Sequence, residues 1–432
     1  MTMTTVGVVG LGYVGLTLAV TLARRGFTVH GVDTSPAVLD ALAQGRPHLY
    51  EPGLDEGLGT FLGDRLHVAS VLPARGVEAA IICVSTPVNP ETRGPELGNL
   101  RAAARHVAER CAPDTLVIVR STVPVGGSRA VVLPELLSAW GRARLAFAPE
   151  RTIQGQALRE LEELPQVVGG LDPESGRAAA KLFERVTRRV VSVSSLEAAE
   201  LVKLANNCHT DLIYSYGNEI ALVAERWGLD PLEVIRASNV DYPRPDLAKP
   251  GFVGGACLSK DPYILISASR ATGYTPWLVG QARGLNEHLP GHVAERLVAM
   301  IRSARGSAEG ARLSVLGWAY KGWPPTDDMR GAPIVPMLPL FRAAGLSLRG
   351  HDYLVGADII RGLGAEPVTA EAAFDGADAV LVVTNHPEYA KLDLGRLLPR
   401  LRRPAVLYDA WRILDEETVR GAGVRYAGIG YG

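Results

Sequence analysis

Short apolar runs alternate with longer amphipathic stretches over the first 195 residues. The apolar runs span residues 6–10, 28–33, 79–87, 115–124 and 145–150, and two more follow in "QVVGGL" and "VVSVSS". Such runs predict strands buried on both faces of a parallel sheet, and the stretches between them predict covering helices. Residues 1–195 are therefore predicted to form one α/β domain of repeated βαβ units.

The pattern changes to a helical period after residue 195. Residues 196–227 contain no proline and one glycine, and their apolar positions predict one long helix that joins domains and offers a flank to a second subunit. His288 and His292 are spaced like helical metal ligands, but Pro290 and Gly291 predict a break between them, so no metal is expected. Residues 196–305 are predicted to form a central helical dimerisation region.

Strands and helices alternate again from residue 306. Apolar runs at 312–317, 346–352, 378–384 and 405–410 predict a second parallel sheet, and "GLSLRGHD" repeats the pattern of the earlier "GFTVHGVD". The predicted fold class is α/β, with two Rossmann-like doubly wound domains joined by a central helical region that contains one long helix. The predicted domain ranges are 1–195, 196–305 and 306–432.

Composition excludes several classes of partner. The 432 residues carry 45 basic and 46 acidic side chains, so neither nucleic acid nor an anionic membrane is an expected partner. The uncharged stretch 5–23 approaches the length of a membrane span, but it contains four glycines and lacks the flanks of a signal segment. The four scattered cysteines suggest neither disulfides nor a zinc site, which favours a reducing cytoplasm.

The stretch "GLGYVG" follows the first predicted strand and opens a helix. Gly10, Gly12 and Gly15 would permit a tight turn, close approach of a pyrophosphate and close helix packing. Asp33 ends the next strand, where it would bind the adenosine ribose hydroxyls and repel a 2′-phosphate. The pattern predicts NAD as cofactor, against the alternative of a turn without a ligand.

The third domain has "GWAYKG" in place of this fingerprint. Lys321 there could contact a phosphate of a second nucleotide, and the alternative is a surface lysine on a loop.

The stretch "GFVGGACLSKD" places Cys257 on a glycine-rich turn. Lys260 would favour a thiolate, and a thiolate beside a nicotinamide predicts the four-electron oxidation of a primary alcohol to an acid. Lys203 and Asn207 lie four residues apart, so they share one face of the long helix. From these residues alone, an inert turn cysteine and an ordinary wet helix face remain open alternatives.

The whole chain resembles the UDP-glucose/GDP-mannose dehydrogenase family. The resemblance runs from "VGVVGLGYVGL" through "STVPVGGSR", "APERT", "AAELVKLANN" and "PGFVGGACLSKDP" to "LGWAYKGWPPTDDMR". It implies an N-terminal NAD domain, a central dimerisation region and a C-terminal domain that binds a sugar nucleotide. It also implies a cytoplasmic homodimer that serves polysaccharide or glycoconjugate biosynthesis.

The resemblance carries roles onto matching residues. The implied nucleophile is Cys257, and the other implied catalytic residues are Lys203, Asn207, Asp261, Thr122 and Glu150. The implied NAD contacts are Gly10, Gly12, Tyr13, Val14, Gly15, Asp33, Thr86, Thr122, Lys260 and Arg330. The implied substrate contacts are Glu150, Arg151, Lys203, Asn207, Arg244, Phe252, Gly254 and Lys321.

Two positions bear on the sugar. "PERTIQG" places Gln154 where UDP-glucose enzymes have an acid, and this form resembles the branch that oxidises UDP-N-acetylhexosamines; Ala256 stands where that branch often has histidine. The expected reaction is oxidation of the C6 alcohol of a nucleoside-diphosphate sugar, with UDP-glucose and GDP-mannose as alternative substrates. The same residues are compatible with a two-electron dehydrogenase or a non-catalytic NAD-binding sensor, whereas no tyrosine stands four residues before a lysine as an epimerase would need.

Overall fold

The computed structural model describes residues 3–243 and 246–432, and the chain divides into two compact units. The first unit comprises the chain up to Asn207 together with Tyr263–Pro276, and the second comprises Cys208–Pro262 and Trp277–Gly432. The helices are α1 (Tyr13–Arg24), α2 (Pro36–Ala43), α3 (Leu54–Phe61), α4 (Gly98–Arg110), α5 (Leu133–Trp140), α6 (Ala157–Glu163), α7 (Pro173–Phe183), α8 (Leu196–Trp227), α9 (Pro231–Asn239), α10 (Gly255–Leu258), α11 (Asp261–Arg270), α12 (Trp277–Arg305), α13 (Ile334–Ala343), α14 (Ala357–Gly362), α15 (Leu394–Leu397) and α16 (Glu416–Gly421).

An eight-stranded sheet organises the first unit. Its strands are β1 (Thr5–Val9), β2 (Thr28–Val32), β3 (Leu66–Ala69), β4 (Ala79–Ile82), β5 (Leu116–Val119), β6 (Arg144–Phe147), β7 (Gln166–Gly170) and β8 (Val190–Val193). They lie in the order β3-β2-β1-β4-β5-β6-β7-β8, parallel except for the β6–β7 pair. Apolar cores cover both faces, and the first six strands have the Rossmann order.

A six-stranded parallel sheet organises the second unit. Its strands are β9 (Arg312–Leu316), β10 (Ser347–His351), β11 (Glu366–Pro367), β12 (Ala379–Val382), β13 (Val406–Asp409) and β14 (Arg425–Ala427). The order β11-β10-β9-β12-β13-β14 repeats the Rossmann order of the first sheet. Two Rossmann-like sheets and one long helix confirm the predicted fold class.

Three strands escaped prediction, namely β3, β11 and β14. Each is an edge strand of its sheet, is only two to four residues long, and lacks a continuous apolar run. The predicted break at Pro290 is wrong, because α12 runs through it. The buried neighbours Leu289 and Val293 hold this turn in the core, which offsets the missing N–H of the proline.

The uncharged stretch 5–23 folds as β1, a glycine turn and α1. Across the described ranges, no helix is both long enough and apolar enough to span a bilayer.

Candidate active site

The first unit joins the glycine turn to Asp33. The N–H of Leu11 donates to Oδ2 of Asp33 at 2.8 Å, and the N–H of Ser35 donates to Oδ1 at 2.8 Å. A carboxylate has about four lone-pair positions, so these two amides leave acceptor capacity for ribose hydroxyls. The position of Asp33 at the end of β2 therefore suits the role predicted for it.

The three glycines of this turn meet different surroundings. A Cβ on Gly15 would lie 1.8 Å from the carbonyl oxygen of Gly10, so only glycine allows α1 to pack here. Gly12 has nothing within 4 Å of its Cβ position, and α1 begins directly after it without a side-chain cap. The N-terminal N–H groups of α1 thus face open space that a pyrophosphate can fill.

Tyr13, the first residue of α1, contacts a buried acid. Its hydroxyl donates to Glu51, which also accepts the N–H groups of Gly155 and Ala157 at 2.7 Å each. Burial and the Glu51 carboxylate raise the pKa of Tyr13, so the hydroxyl stays protonated. The first turn of α1 is thereby tied to the segment that follows Glu150.

Two predicted residues link neighbouring loops of the first sheet. The Thr86 hydroxyl, after β4, donates to the carbonyl oxygen of Thr122, after β5, at 2.6 Å. Both loops leave the carboxyl ends of their strands, as do the glycine turn and Asp33. Dinucleotides bind at this edge of Rossmann sheets.

Glu150, after β6, is surrounded by N–H donors. Its Oε2 accepts from Nε and Nη2 of Arg120 at 3.1 and 2.5 Å, and its Oε1 accepts from the N–H groups of Arg151 and Thr152 at 2.7 Å each. Burial acts to raise the pKa of Glu150, but Arg120, the Thr152 amide and Lys203 together hold it below its usual value. Glu150 is therefore an anion at neutral pH, with four protein hydrogen bonds.

The first part of α8 brings more polar residues to this group. Lys203 is buried, and its charge acts on Glu150. Nη1 of Arg151 donates to Oδ1 of Asn206 at 3.4 Å, whereas Asn207 is half-buried. The structure thus brings together Glu150, Arg151 and Lys203 of the predicted set.

The cysteine loop belongs to the second unit and is shaped by close backbone contacts. Gly255 has a φ of +91°, and a Cβ there would lie 2.6 Å from the Tyr320 ring. A Cβ on Gly254 would lie 2.1 Å from the carbonyl oxygen of Gly331. Both glycines are required by neighbouring protein atoms, and they leave Cys257 exposed on α10.

Cys257 differs from the other three cysteines in its exposure to solvent. Burial raises the pKa of Cys83 and Cys208 to about 12 and that of Cys111 to about 11. All four are free, and Cys257 alone among them is exposed. Among the cysteines of the described chain, the thiol of Cys257 is therefore the one that a substrate can reach.

Two ion pairs involve residues predicted to contact NAD, Lys260 and Arg330. Nζ of Lys260 contacts Oδ1 of the fully buried Asp261 at 2.8 Å, so its charge is directed at the acid. The guanidinium of Arg330 donates to both oxygens of Asp328, and its charge interacts with Cys257.

The remaining predicted substrate contacts also lie in the second unit, apart from one outside the described residues. Phe252 is buried beside the cysteine loop, and Lys321 lies on the loop after β9 with Nζ 5.5 Å from the centroid of Tyr320. Arg244 lies outside the described residues. No cluster of three His, Cys, Asp or Glu side chains suited to a metal ion occurs in residues 3–243 and 246–432.

Comparison with known proteins identifies the family. Three models of the UDP-glucose/GDP-mannose dehydrogenase family match in order: the NAD binding domain over residues 4–187, the central domain over 197–288 and the UDP binding domain over 314–416. A UDP-N-acetyl-D-mannosamine dehydrogenase of Pyrococcus horikoshii is 32% identical over 99% of both chains. The chain belongs to the UDP-glucose/GDP-mannose dehydrogenase family.

Further similarities agree with this assignment. The solved structure of UDP-D-ManNAc dehydrogenase from Pyrococcus horikoshii superimposes with a TM-score of 0.88 at 31% identity, covering 99% of both chains. An NDP-N-acetyl-D-galactosaminuronic acid dehydrogenase of Ralstonia nicotianae is 30% identical over 92% of this chain and 94% of its own. The predicted family is confirmed, and the protein is an NAD-dependent nucleotide-sugar dehydrogenase.

Several polar residues of this dehydrogenase were missed from the sequence. Arg120 was a detectable case, because it is a lone charge inside the apolar run 115–124. Glu51 and Glu200 gave no such signal; the latter accepts the N–H groups of Gly126 and Ser128 at 2.6 and 3.0 Å. Such contacts between distant segments have no local pattern in sequence.

Proposed function

We propose that this dehydrogenase oxidises C6 of a UDP-N-acetylhexosamine to the carboxylate in two steps, with Cys257 as nucleophile. The observation that carries the role of Cys257 is its exposure on a glycine-rich loop, since the other three thiols are buried and protonated. The sugar is supported by the names of two relatives that are at least 30% identical and by Gln154 in "PERTIQG".

The residues suit an oxidation of C6 by two successive hydride transfers, followed by hydrolysis. Two molecules of NAD, bound one after the other, would accept one hydride each. C6 first loses a hydride and its hydroxyl proton to give an aldehyde, and the Cys257 thiolate then forms a C–S bond at that carbon. Loss of a second hydride leaves a thioester, and water cleaves the C–S bond to give the carboxylate and the free thiol. We assign oxyanion stabilisation to Lys203 and Asn207, and activation of the water to Asp261.

The other predicted residues take supporting roles in this proposal. We assign residues 1–195 to NAD, 196–305 to dimerisation and catalysis, and 306–432 to the sugar nucleotide. Thr122 and Glu150 would shape the reacting centre. The cofactor contacts would be Gly10, Gly12, Tyr13, Val14, Gly15, Asp33, Thr86, Lys260 and Arg330, and the substrate contacts Arg151, Arg244, Phe252, Gly254 and Lys321. We place the reaction in the cytoplasm, where an exposed thiol stays reduced.

A panel of nucleotide sugars tests the substrate and the stoichiometry together. We expect two NADH per molecule of a UDP-N-acetylhexosamine, and lower kcat/KM with UDP-glucose and GDP-mannose. A preference for UDP-glucose would overturn the proposed sugar, and a yield of one NADH would overturn the four-electron reaction. Cys257→Ser should abolish steady turnover, so normal turnover by this variant would remove the thiol from the mechanism.

We also propose a homodimer formed through α8. Ile213, Tyr216, Val223 and Trp227 are 40%, 50%, 53% and 77% exposed, and their spacing places them on one face of the helix. An apolar stripe of this kind marks an interface, and a second copy of the same helix is complementary to it. Sedimentation at micromolar concentration should give a dimer, whereas the double variant Tyr216→Glu, Val223→Glu should be monomeric. A monomeric parent protein would contradict this assembly.

A further inference from the structure

A buried arginine of α12 contacts both sides of the cysteine loop. Arg283 is 2% exposed, and its Nη1 donates to Oδ1 of Asp211 at 2.8 Å and to the carbonyl oxygen of Leu258 at 3.0 Å. Its Nη2 donates to the carbonyl oxygen of Val253 at 3.2 Å. One guanidinium therefore holds the backbone before and after Cys257.

Two buried asparagines extend this network to the start of the loop. Nδ2 of Asn286 donates to Oδ1 and to the backbone oxygen of Asp211 at 3.0 Å each, and Oδ1 of Asn286 accepts from Asn218 at 3.0 Å. Oδ1 of Asn218 in turn accepts the N–H of Gly251 at 2.8 Å. The loop is thus fixed at three backbone groups by side chains of α8 and α12.

The energetics argue for a role beyond stability. A buried ion pair contributes little net stability compared with apolar packing, because both charges lose their hydration. A glycine-rich backbone, by contrast, loses much conformational entropy when it becomes ordered, so a loop of this kind needs specific anchors. All three anchors bind main-chain atoms of residues 251–258, and thus set the path of the backbone that carries the thiol.

We propose that Arg283, supported by Asp211, Asn286 and Asn218, is a positioning residue that sets the place of the Cys257 sulfur relative to the sugar. This inference rests on the proposed function, in which Cys257 is the nucleophile. Arg283 acts through the loop and does not itself touch the substrate, because its side chain is buried and its Nη1 and Nη2 donate to protein carbonyls and Asp211.

The test uses Arg283→Lys, which keeps the charge beside Asp211 but cannot bridge two carbonyls with one planar group. We expect kcat to fall by about 10²-fold with KM for NAD nearly unchanged, since small misplacements of a reacting group have effects of that order. We also expect a changed rate of Cys257 alkylation by iodoacetamide in the intact protein, measured by mass spectrometry. Wild-type kcat and alkylation rate per folded molecule would overturn the proposal.

Arg296→Lys is the matched control. Arg296 also lies on α12 and contacts an acid of α8, Glu225, at 2.6 Å, but it makes no contact with the cysteine loop among the described residues. It should leave the alkylation rate unchanged, whatever it does to stability. An equal effect of both variants on alkylation would mean that Arg283 acts only through general stability.

A second variant decides the question if Arg283→Lys does not fold. Asn218→Ala removes the anchor at Gly251 and the bond to Asn286 but leaves the ion pair between Arg283 and Asp211 intact, so we expect a decrease in kcat of about 10-fold. An unchanged kcat and alkylation rate would then refute the proposal. Cys257→Ser separates the two hypotheses: if that variant turns over normally, the nucleophile assignment fails, and if it is inactive while Arg283→Lys is normal, only the positioning role fails.

Discussion

The turn after β1 and the turn after β9 have the same backbone design but different surroundings. Gly10 and Gly317 both have left-handed φ values, +91° and +93°, and both donate to the last residue of the neighbouring strand, at 2.8 and 2.9 Å. Asp33 accepts the N–H after the first glycine, and Asp352 accepts the N–H after the second. The internal repeat seen in sequence is thus a repeat of hydrogen bonds.

The two acids differ in what remains available to a ligand. Asp33 accepts two backbone amides, whereas Asp352 accepts four, from Trp318, Ala319, Leu354 and Val355. Four bonds fill the acceptor positions of a carboxylate, so Asp352 has no position left for a further donor, whereas Asp33 has.

The chain after each turn differs as well. In the first turn, α1 starts directly after Gly12, whose Cβ position is open. In the second turn, Ala319 occupies the position that corresponds to Gly12, and the next helix, α13, starts only at Ile334. The intervening loop instead places the Tyr320 ring against Gly255 of the cysteine loop. One turn leaves a helix N-terminus open, and the other uses the same start to support the loop that carries Cys257.

The largest expected effect comes from Gly15→Ala. The new Cβ would meet the carbonyl oxygen of Gly10 at 1.8 Å, so we expect a loss of about 3 kcal/mol or more in the free energy of unfolding, together with loss of NAD binding. Calorimetry and NAD titration measure both. Gly322→Ala, the corresponding change in the second turn, would clash with the backbone nitrogen of His386 at 2.1 Å, and should destabilise the protein without changing NAD affinity per folded molecule.

The second-largest loss of stability is expected from Asp352→Asn. An amide NH₂ would face backbone N–H groups that now donate to a carboxylate oxygen, which costs about 2–3 kcal/mol of stability in urea unfolding. Asp33→Asn should lose less stability but should reduce the preference for NAD over NADP about 10-fold, because the repelling charge is gone. If the two variants behaved alike in both assays, the proposed difference between the acids would be wrong.

Gly12→Ala introduces the residue of the second turn into the first. Its Cβ meets no protein atom within 4 Å, so we expect unchanged unfolding but NAD affinity weakened about 10-fold, because the methyl group occupies the approach of the pyrophosphate. Isothermal titration with NAD checks this. Unaltered affinity would show that the cofactor does not pass close to this glycine, and Ala319→Gly is the reciprocal control.

The smallest effect is expected from Tyr13 and Tyr320, which occupy corresponding positions in the two turns. Tyr13→Phe removes one bond to Glu51 but leaves its bonds to Gly155 and Ala157, so stability should fall by about 1 kcal/mol. Tyr320→Phe keeps the ring against Gly255 and should change stability less. A larger loss from Tyr320→Phe would indicate that its hydroxyl has a role that the ring contact does not explain.

Local sequence was sufficient for features with a strong period or a steric requirement. The limits of α8, the central strands of both sheets and the turn after β1 follow from apolar runs, helical spacing and the spacing of glycines. The break expected at Pro290 was wrong because packing of α12 outweighs one missing hydrogen bond. Short edge strands such as β11 carry too little pattern to be found.

Sequence by itself therefore determined the fold class, the family and which cysteine stands on a bare turn. Tertiary structure alone decided that all acceptor positions of Asp352 are filled by backbone N–H groups while those of Asp33 are not. It also decided that Arg120 holds Glu150 as an anion and that Arg283 holds the loop around Cys257. The physical reason is that these roles depend on how many hydrogen-bond partners reach a group from distant segments. The residue type sets how many hydrogen bonds a side chain can make, and only the folded chain determines how many of them are made to other protein groups.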